Sequence, residues 1–84
     1  MFLAKVYVTY KDSVLDPQGQ AVKDAAGRLG YSEIEDIRVG KYFEIKVSGE
    51  GRSPESVIEE VSDKLLANVN TESYRIEIEE IAGE

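Results

Sequence analysis

The junction Asp16-Pro17 constrains the fold of this chain most, because it joins two segments with different apolar repeats. From Phe2 to Tyr10 every second residue is apolar, and this period of two predicts a strand. After Pro17 the apolar positions recur at helical spacing, at Val22, Ala25, Ala26 and Leu29. Asp16 is suited to cap the N-terminus of this helix, and Pro17 fits its first position. Gly30 is suited to end it.

Two more alternating segments follow this helix. Residues 34–39 predict a second strand, and residues 41–48 predict a third whose inward side chains are Phe43, Ile45 and Val47. Gly40-Lys41 between them predicts a tight hairpin turn. A single long strand with a bulge at Gly40 is the alternative interpretation.

The second half of the chain repeats the order of helix and strand. Ser53 and Pro54 predict a helix start, and the helix has an apolar face formed by Val57, Ile58, Val61, Leu65 and Leu66. Asn68 or Asn70 is predicted to end the helix in a left-handed conformation. In the last strand Tyr74, Ile76 and Ile78 are predicted to point inward, and residues 79–84 are expected to fray.

The predicted order is strand, helix, strand, strand, helix, strand. This βαββαβ order predicts an α+β, ferredoxin-like two-layer sandwich, with a four-stranded antiparallel sheet and two helices on one face. Eighty-four residues suit one domain, which we place at residues 1–84.

The amino-acid composition excludes several classes of function. The chain contains no histidine and no cysteine, which removes the commonest general base, the commonest metal ligand and any thiol nucleophile. We therefore predict no catalytic, cofactor-binding or metal-binding residue. The formal net charge of −7 lies entirely in residues 43–84, and such a surface repels nucleic acid. Since no apolar run approaches the roughly 18 residues of a membrane span, we expect a cytoplasmic protein without a membrane partner.

Two local clusters have a structural and a functional interpretation. The loop Gly49–Pro54 places Arg52 and Ser53 near a helix N-terminus, where they could hold a small anion or simply cap the helix. This leaves a free-standing regulatory module that binds an anionic ligand as the alternative function. The acidic residues of the second helix could bind a metal, but a solvated face is the simpler explanation; they are Glu55, Glu59, Glu60 and Asp63.

The face of the predicted sheet that the helices leave open is the more informative feature. Aromatic side chains interleave there with few charges, a pattern that favours an interface over a solvent-exposed surface. The expected residues are Leu3, Tyr7, Thr9, Arg38, Tyr42, Glu44, Lys46 and Arg75. We expect the chain to associate with itself through this face or through the sheet edges.

Three segments carry a family resemblance. Residues 6–11 (VYVTYK), 13–19 (SVLDPQG) and 39–44 (VGKYFE) resemble the PurS family, the small subunit of phosphoribosylformylglycinamidine synthase. The resemblance extends over essentially the whole chain in length and element order. We take as partner-interface candidates three residues of the open face and five of the matching segments: Leu3, Tyr7, Tyr42, Asp16, Pro17, Gly19, Gly40 and Lys41.

The resemblance also implies a role in purine biosynthesis. The complex converts formylglycinamide ribonucleotide, glutamine and ATP into formylglycinamidine ribonucleotide. Its glutaminase subunit PurQ releases ammonia, and its large subunit PurL uses ATP and Mg²⁺. A chain of this family is expected to form dimers or tetramers, to bridge PurL and PurQ, and to support ammonia transfer without catalytic residues or a cofactor of its own.

Overall fold

The computed structural model describes residues 1–81. Strand β1 spans Phe2–Tyr10, helix α1 Pro17–Arg28 and strand β2 Gly40–Val47. Helix α2 spans Pro54–Val61 and continues as a π-helical turn over Ser62–Leu66. Strand β3 spans Glu72–Glu80. Of the tail predicted to fray, Glu79 and Glu80 belong to β3, and residues 82–84 lie outside the described residues.

The three strands form one antiparallel sheet in the order β2-β1-β3. In the register, Val6 of β1 lies opposite Phe43 of β2 and Ile76 of β3. One face is therefore apolar, and the inward positions predicted in all three strands are confirmed. Fully buried side chains at the centre of this face include Val6, Val8 and Ile58 of α2. The core lies between α2 and the middle strand.

The prediction of a fourth strand at residues 34–39 is wrong. This segment forms no ladder, because its polar groups bond to other parts of the chain. The backbone N–H of Val39 donates to Asp16 Oδ2 at 2.9 Å, and the Arg38 guanidinium donates to the carbonyl oxygens of Tyr10 and Lys11. The sheet consequently has three strands instead of the four of a complete ferredoxin-like fold.

The predicted hairpin turn at Gly40-Lys41 is also wrong. Both residues belong to β2, with Gly40 opposite Thr9 and Lys41 opposite Val8. Neither the turn nor the alternative bulged long strand forms, because pairing begins at Gly40 and residues 34–39 do not precede it as a strand.

Helix α1 begins and ends as predicted, but it does not cover the sheet. Asp16 caps it, Pro17 is its first residue, and Gly30 has a φ of 98° just beyond its end. Its stripe is exposed, however: Val22 is 49% exposed and Leu29 77% exposed. The prediction of two helices on one face is therefore wrong for α1, and only α2 packs against the sheet.

The C-terminal part of the second helix also departs from the prediction. Ser53 caps the N-terminus as predicted, and its Oγ accepts from Ser56 N at 3.2 Å. The π-helical turn changes which side chains face the core, since five residues rather than four close each ring. Leu65 is consequently 78% exposed, whereas Ser62, four residues after the buried Ile58, is buried. No non-glycine residue among residues 1–81 has a positive φ, so neither Asn68 nor Asn70 ends the helix in a left-handed conformation.

Over residues 1–81, neither helix combines the length and the apolar character that crossing a bilayer requires.

Candidate partner interface

The sheet surface opposite α2, called here the open face, consists of the outward side chains of all three strands. They are Leu3, Lys5, Tyr7 and Thr9 of β1, Tyr42, Glu44 and Lys46 of β2, and Ser73, Arg75, Glu77 and Glu79 of β3. Alternation along β1 places the first four on the side away from the buried Ala4, Val6 and Val8. The period-two pattern of the sequence therefore predicts this surface correctly, apart from Arg38, which lies outside the sheet.

A three-residue aromatic and cationic cluster forms the centre of the open face. Tyr7 lies directly opposite Tyr42, and the two ring centroids are 5.0 Å apart with planes inclined by 34°. On the other side of Tyr7, the Arg75 guanidinium carbon lies 4.3 Å from the ring centroid. Aromatic and arginine side chains that are already packed against one another lose little freedom on binding, which suits them to the centre of an interface.

Hydrogen bonds hold both tyrosine rings in place. Tyr42 donates its hydroxyl to Glu44 at 2.7 Å, and Tyr7 makes a longer contact of 3.4 Å with Glu77. The bond to Glu44 raises the pKa of Tyr42 to about 12, because losing the proton would place two negative charges side by side. Tyr42 is nevertheless 49% exposed, so its ring is available to another molecule.

Charged residues surround this cluster. Leu3 lies in the register between Lys46 and Glu79, and Lys5 forms an ion pair of 3.9 Å with Glu79. The open face expected from the sequence includes Arg75 but not Glu77, and the eight partner-interface candidates include neither, although the alternation of β3 places both on this face. Their contacts with Tyr7 depend on cross-strand register, and no pattern within β3 indicates that register.

The other predicted candidates lie at the end of the sheet where β1 stops, called here the junction. Asp16 is its organising residue. Its Oδ1 accepts from Gly19 N at 2.9 Å, and its Oδ2 accepts from Val39 N at 2.9 Å. These two backbone hydrogen bonds, the one from Gly19 first, hold the pKa of Asp16 below its ordinary value. One carboxylate thus caps α1 and ties it to the segment that leads into β2.

Two glycines let backbone segments approach closely at the junction. A Cβ on Gly19 would collide with the carbonyl oxygen of Ile37, and one on Gly40 would collide with the carbonyl oxygen of Val8. Both positions therefore require glycine for packing. Pro17 is exposed beside them.

Lys41 has a defined position at the junction instead of extending into solvent. Its ammonium donates to the carbonyl oxygen of Leu66 at 3.2 Å and lies 3.6 Å from Glu72. Lys41 and Glu72 also line a cleft of about 220 Å³ with Gln18 and Gly40. The eight candidates consequently form two groups, with Leu3, Tyr7 and Tyr42 on the open face and the other five at the junction.

The loop considered as an anion site is internally paired. The Arg52 guanidinium donates to Glu60 at 2.6 Å and to Ser56 Oγ at 3.1 Å. Arg52, followed by Lys64, lowers the pKa of Glu60. A bound anion would have to displace this carboxylate, so the geometry favours the capped-turn interpretation over an anion site.

The acidic residues of α2 border a shallow groove beside β3. Glu55 and Glu59 line it together with Ile76 and Ile78. Burial, followed by the charge of Asp63, raises the pKa of nearby Tyr74. Within residues 1–81, no three carboxylates converge as a metal site requires.

Taken together, the fold and these surfaces define a small α+β interaction protein, in which residues 1–81 present a prearranged aromatic face and a tightly packed junction. A family model described as PurS, phosphoribosylformylglycinamidine (FGAM) synthase, matches residues 3–80. The chain belongs to the PurS family.

Comparisons with two relatives illustrate the match. The PurS subunit of Bacillus subtilis is 44% identical over 84 residues, all of both chains. A crystal structure of B. subtilis PurS superposes with a TM-score of 0.89 at 46% identity, covering 95% of this chain and 100% of that one. PurS of Methanocaldococcus jannaschii, described as one of the subunits of formylglycinamide ribonucleotide amidotransferase in the purine biosynthetic pathway, gives a TM-score of 0.82 at 32% identity and covers 98% and 100%.

A more distant likeness concerns the fold alone. The structure of PurLQS from Thermotoga maritima contains a chain with a TM-score of 0.76 at 21% identity, covering 93% of this chain and 98% of that one. The overall fold is therefore similar even at this low sequence identity.

Proposed function

We propose that this chain is a non-catalytic assembly subunit of phosphoribosylformylglycinamidine synthase, acting in the cytoplasm. It would bridge the large synthetase subunit PurL and the glutaminase subunit PurQ, and it would support ammonia transfer between them. It would also associate with itself as a dimer or tetramer. The family match over residues 3–80 supports this proposal, because it spans nearly the whole chain.

The observation that carries the proposal is the Tyr7–Tyr42–Arg75 cluster at the centre of the open face. Tyrosine and arginine, together with tryptophan, are enriched among the side chains that contribute most of the binding energy in interfaces. The cluster is flanked by ion pairs, so a polar rim surrounds an aromatic centre as in a protein interface. The chain also has no histidine or cysteine for glutamine hydrolysis, which the proposal therefore assigns to PurQ.

The proposal extends to cofactors. ATP and Mg²⁺ are assigned to PurL, and this chain is proposed to bind neither. Calorimetric titration of the isolated chain with Mg²⁺ tests whether this chain binds the metal, and we expect no saturable heat.

Reconstitution with and without this chain tests the function. Omitting the chain should abolish turnover supported by glutamine, because the glutaminase and synthetase subunits would no longer be held together. Turnover supported by high free ammonia should survive at least in part, because the synthetase site belongs to PurL. Glutamine-supported turnover at the full rate without this chain would contradict the proposal.

A further inference from the structure

Strand β3 forms an edge of the sheet. In the order β2-β1-β3 it pairs with β1 on one side, and its other side has no strand partner among residues 1–81. Its register with β1 is continuous, from Phe2 opposite Glu80 to Tyr10 opposite Glu72. The strand contains neither the proline nor the lysine that commonly protect an exposed edge. A nine-residue strand is therefore open along one side to pairing with another segment.

The apolar side of this edge lies beside α2. Tyr74, Ile76 and Ile78 contact the core but are only partly buried, whereas the inward positions of β1 beside them are fully buried. The flank of α2 that borders β3 carries Glu55 and Glu59, and the helix and the strand together enclose a groove of about 340 Å³. This α2–β3 groove has an apolar floor on the strand and an acidic wall on the helix.

The acidic wall has unpaired negative charge. Glu55, Glu59 and Asp63 form no ion pair with any residue of the described chain, 1–81. Asp63 extends the wall to the end of the groove at Tyr74. Glu60 of the same helix, by contrast, forms two ion pairs. Cations of another molecule would therefore be attracted to the wall without displacing a cation of this chain.

A strand added beside β3 would place every second side chain over the α2–β3 groove. Lysine or arginine at those positions fits both of its surfaces. The aliphatic stem would lie on Ile76 and Ile78, and the charged end would reach Glu55 or Glu59. The floor extends from Tyr74 to Ile78, about 13 Å at the rise of a strand, which accommodates roughly five residues of an extended segment.

A second copy of this chain does not supply such a segment. Its ten lysines and arginines include no two that are two positions apart, so none of its strands carries neighbouring cations on one face. Pairing of β3 with β3 of another copy is also unfavourable. The strand has four acidic residues and one basic residue, and like charges would meet across the pair. The edge therefore favours a different, basic partner.

We propose that the α2–β3 groove receives an extended segment of another subunit of the complex, with lysine or arginine at alternate positions, and that this segment pairs with β3 as a fourth strand. The inference rests on the assembly role proposed above, and it adds the chemistry of the partner segment and the place where it binds. It leaves the Tyr7–Tyr42 side of the sheet free for a separate contact.

A short peptide tests the groove on the isolated chain. The probe is a capped hexapeptide in which lysine and threonine alternate, and the control peptide has the same composition with all lysines first. Titration followed by nuclear magnetic resonance measures both dissociation constants and identifies the amides that shift. We expect the alternating peptide to bind several-fold more tightly and to shift residues 74–78 most. Equal binding of the two peptides, or shifts confined to β2, would overturn the inference.

Methylation of the peptide backbone tests strand pairing separately from charge. In a strand the N–H groups of alternate residues point to the same side. Methylating the threonine nitrogens therefore blocks one side of the probe, and methylating the lysine nitrogens blocks the other. We expect one methylated peptide to lose binding and the other to retain most of it. Loss of binding in both, or in neither, would contradict pairing along a single edge.

Charge reversal in the groove tests whether the segment belongs to another subunit. Glu59→Lys should raise both the dissociation constant of the peptide and the chain concentration for half-maximal glutamine-supported turnover by about tenfold, because repulsion replaces attraction. Glu55→Lys is a second variant on the same wall, and melting curves verify that both are folded. The matched control is Glu33→Lys, the same charge change at an exposed position away from the groove. It should alter both quantities much less.

The groove and the assembly role can fail independently. Unchanged half-maximal concentrations for Glu59→Lys and Glu55→Lys, or an equal rise for Glu33→Lys, would overturn the groove as the binding place. Loss of turnover on omission of the chain would still uphold the assembly role in that case. Full glutamine-supported turnover without the chain would instead contradict the assembly role itself.

Discussion

The Asp16 side chain accepts a hydrogen bond of 2.9 Å from the backbone N–H of Val39, 23 residues further along the chain. The same carboxylate caps α1 through Gly19. Because one group performs both tasks, the start of the helix and the entry to β2 are fixed relative to each other.

Replacing Asp16 should therefore cost more than losing an ordinary helix cap. Ser53 provides the matched comparison, since it caps α2 through one backbone bond to Ser56. We expect Ser53→Ala to lower the melting temperature by roughly 4–8 °C, the usual cost of a cap in a domain of this size. Asp16→Ala should lower it further. Equal losses in thermal melts would contradict a joining role for Asp16.

The lowered pKa of Asp16 predicts a particular acid sensitivity. A carboxyl group whose pKa is lower when folded stabilises the protein above its unfolded pKa. This contribution is lost as the pH falls through the folded value. Asp16→Asn should thus lower stability at neutral pH and flatten its decline in acid. Parallel unfolding curves for both proteins from neutral pH to strong acid would refute this assignment.

The hydrogen bond from Tyr42 to Glu44 should be visible in an alkaline titration. We expect Tyr42 to ionise near pH 12, measured as the absorbance change that Tyr42→Phe removes. Since the pKa is raised on folding, the associated stability is present below the unfolded pKa and is lost as pH rises through the folded value. Glu44→Gln should bring the pKa of Tyr42 down towards its ordinary value, whereas Glu79→Gln on the same face should not. An unchanged titration in Glu44→Gln would rule out this cause.

Replacing each of three glycines with alanine should change the stability of the protein in different directions. Gly27→Ala should stabilise the protein by about 0.5–1 kcal/mol, because the position is helical and surrounded by open space. Gly19→Ala and Gly40→Ala should destabilise it, because the added methyl meets a backbone carbonyl. Chemical denaturation of the three variants measures these changes in stability. A Gly19→Ala protein as stable as the natural chain would show that the junction is packed less tightly than described.

Local chemistry explains which parts of the fold the sequence predicts correctly. The caps at Asp16 and Ser53, the prolines that follow them and the alternating faces of the strands depend on neighbouring residues, and all are confirmed. The segment before Gly40 has the alternation of a strand but bonds to Asp16 and to the end of β1. The stripe of α1 likewise predicts burial against the sheet, but the helix lies away from the sheet and leaves Val22 and Leu29 exposed.

The candidate interface residues also divide into those that a local sequence pattern predicts and those whose contacts depend on distant parts of the chain. Tyr7 and Tyr42 are predicted on one face because alternation alone places them there, and the structure pairs them. The contacts of Lys41 could not be predicted. They depend on the π-helical turn, which ends at Leu66 and whose last carbonyl accepts a hydrogen bond from the Lys41 ammonium. The second bond of Asp16 crosses 23 residues and has no local signal.

The central claim is that this chain contributes binding surfaces and no catalytic group. Its most direct test is the rate of glutamine-supported turnover of the reconstituted complex, measured while the chain is titrated to saturation. Lys41→Ala at the junction and Glu77→Ala on the open face are compared with Glu33→Ala, an exposed residue outside both surfaces. We predict that the first two need more protein to reach saturation and then give a rate within a few-fold of the natural chain. A loss of about a hundredfold at saturation, or roughly 2.7 kcal/mol of transition-state stabilisation, in a folded and fully assembled variant would contradict the claim.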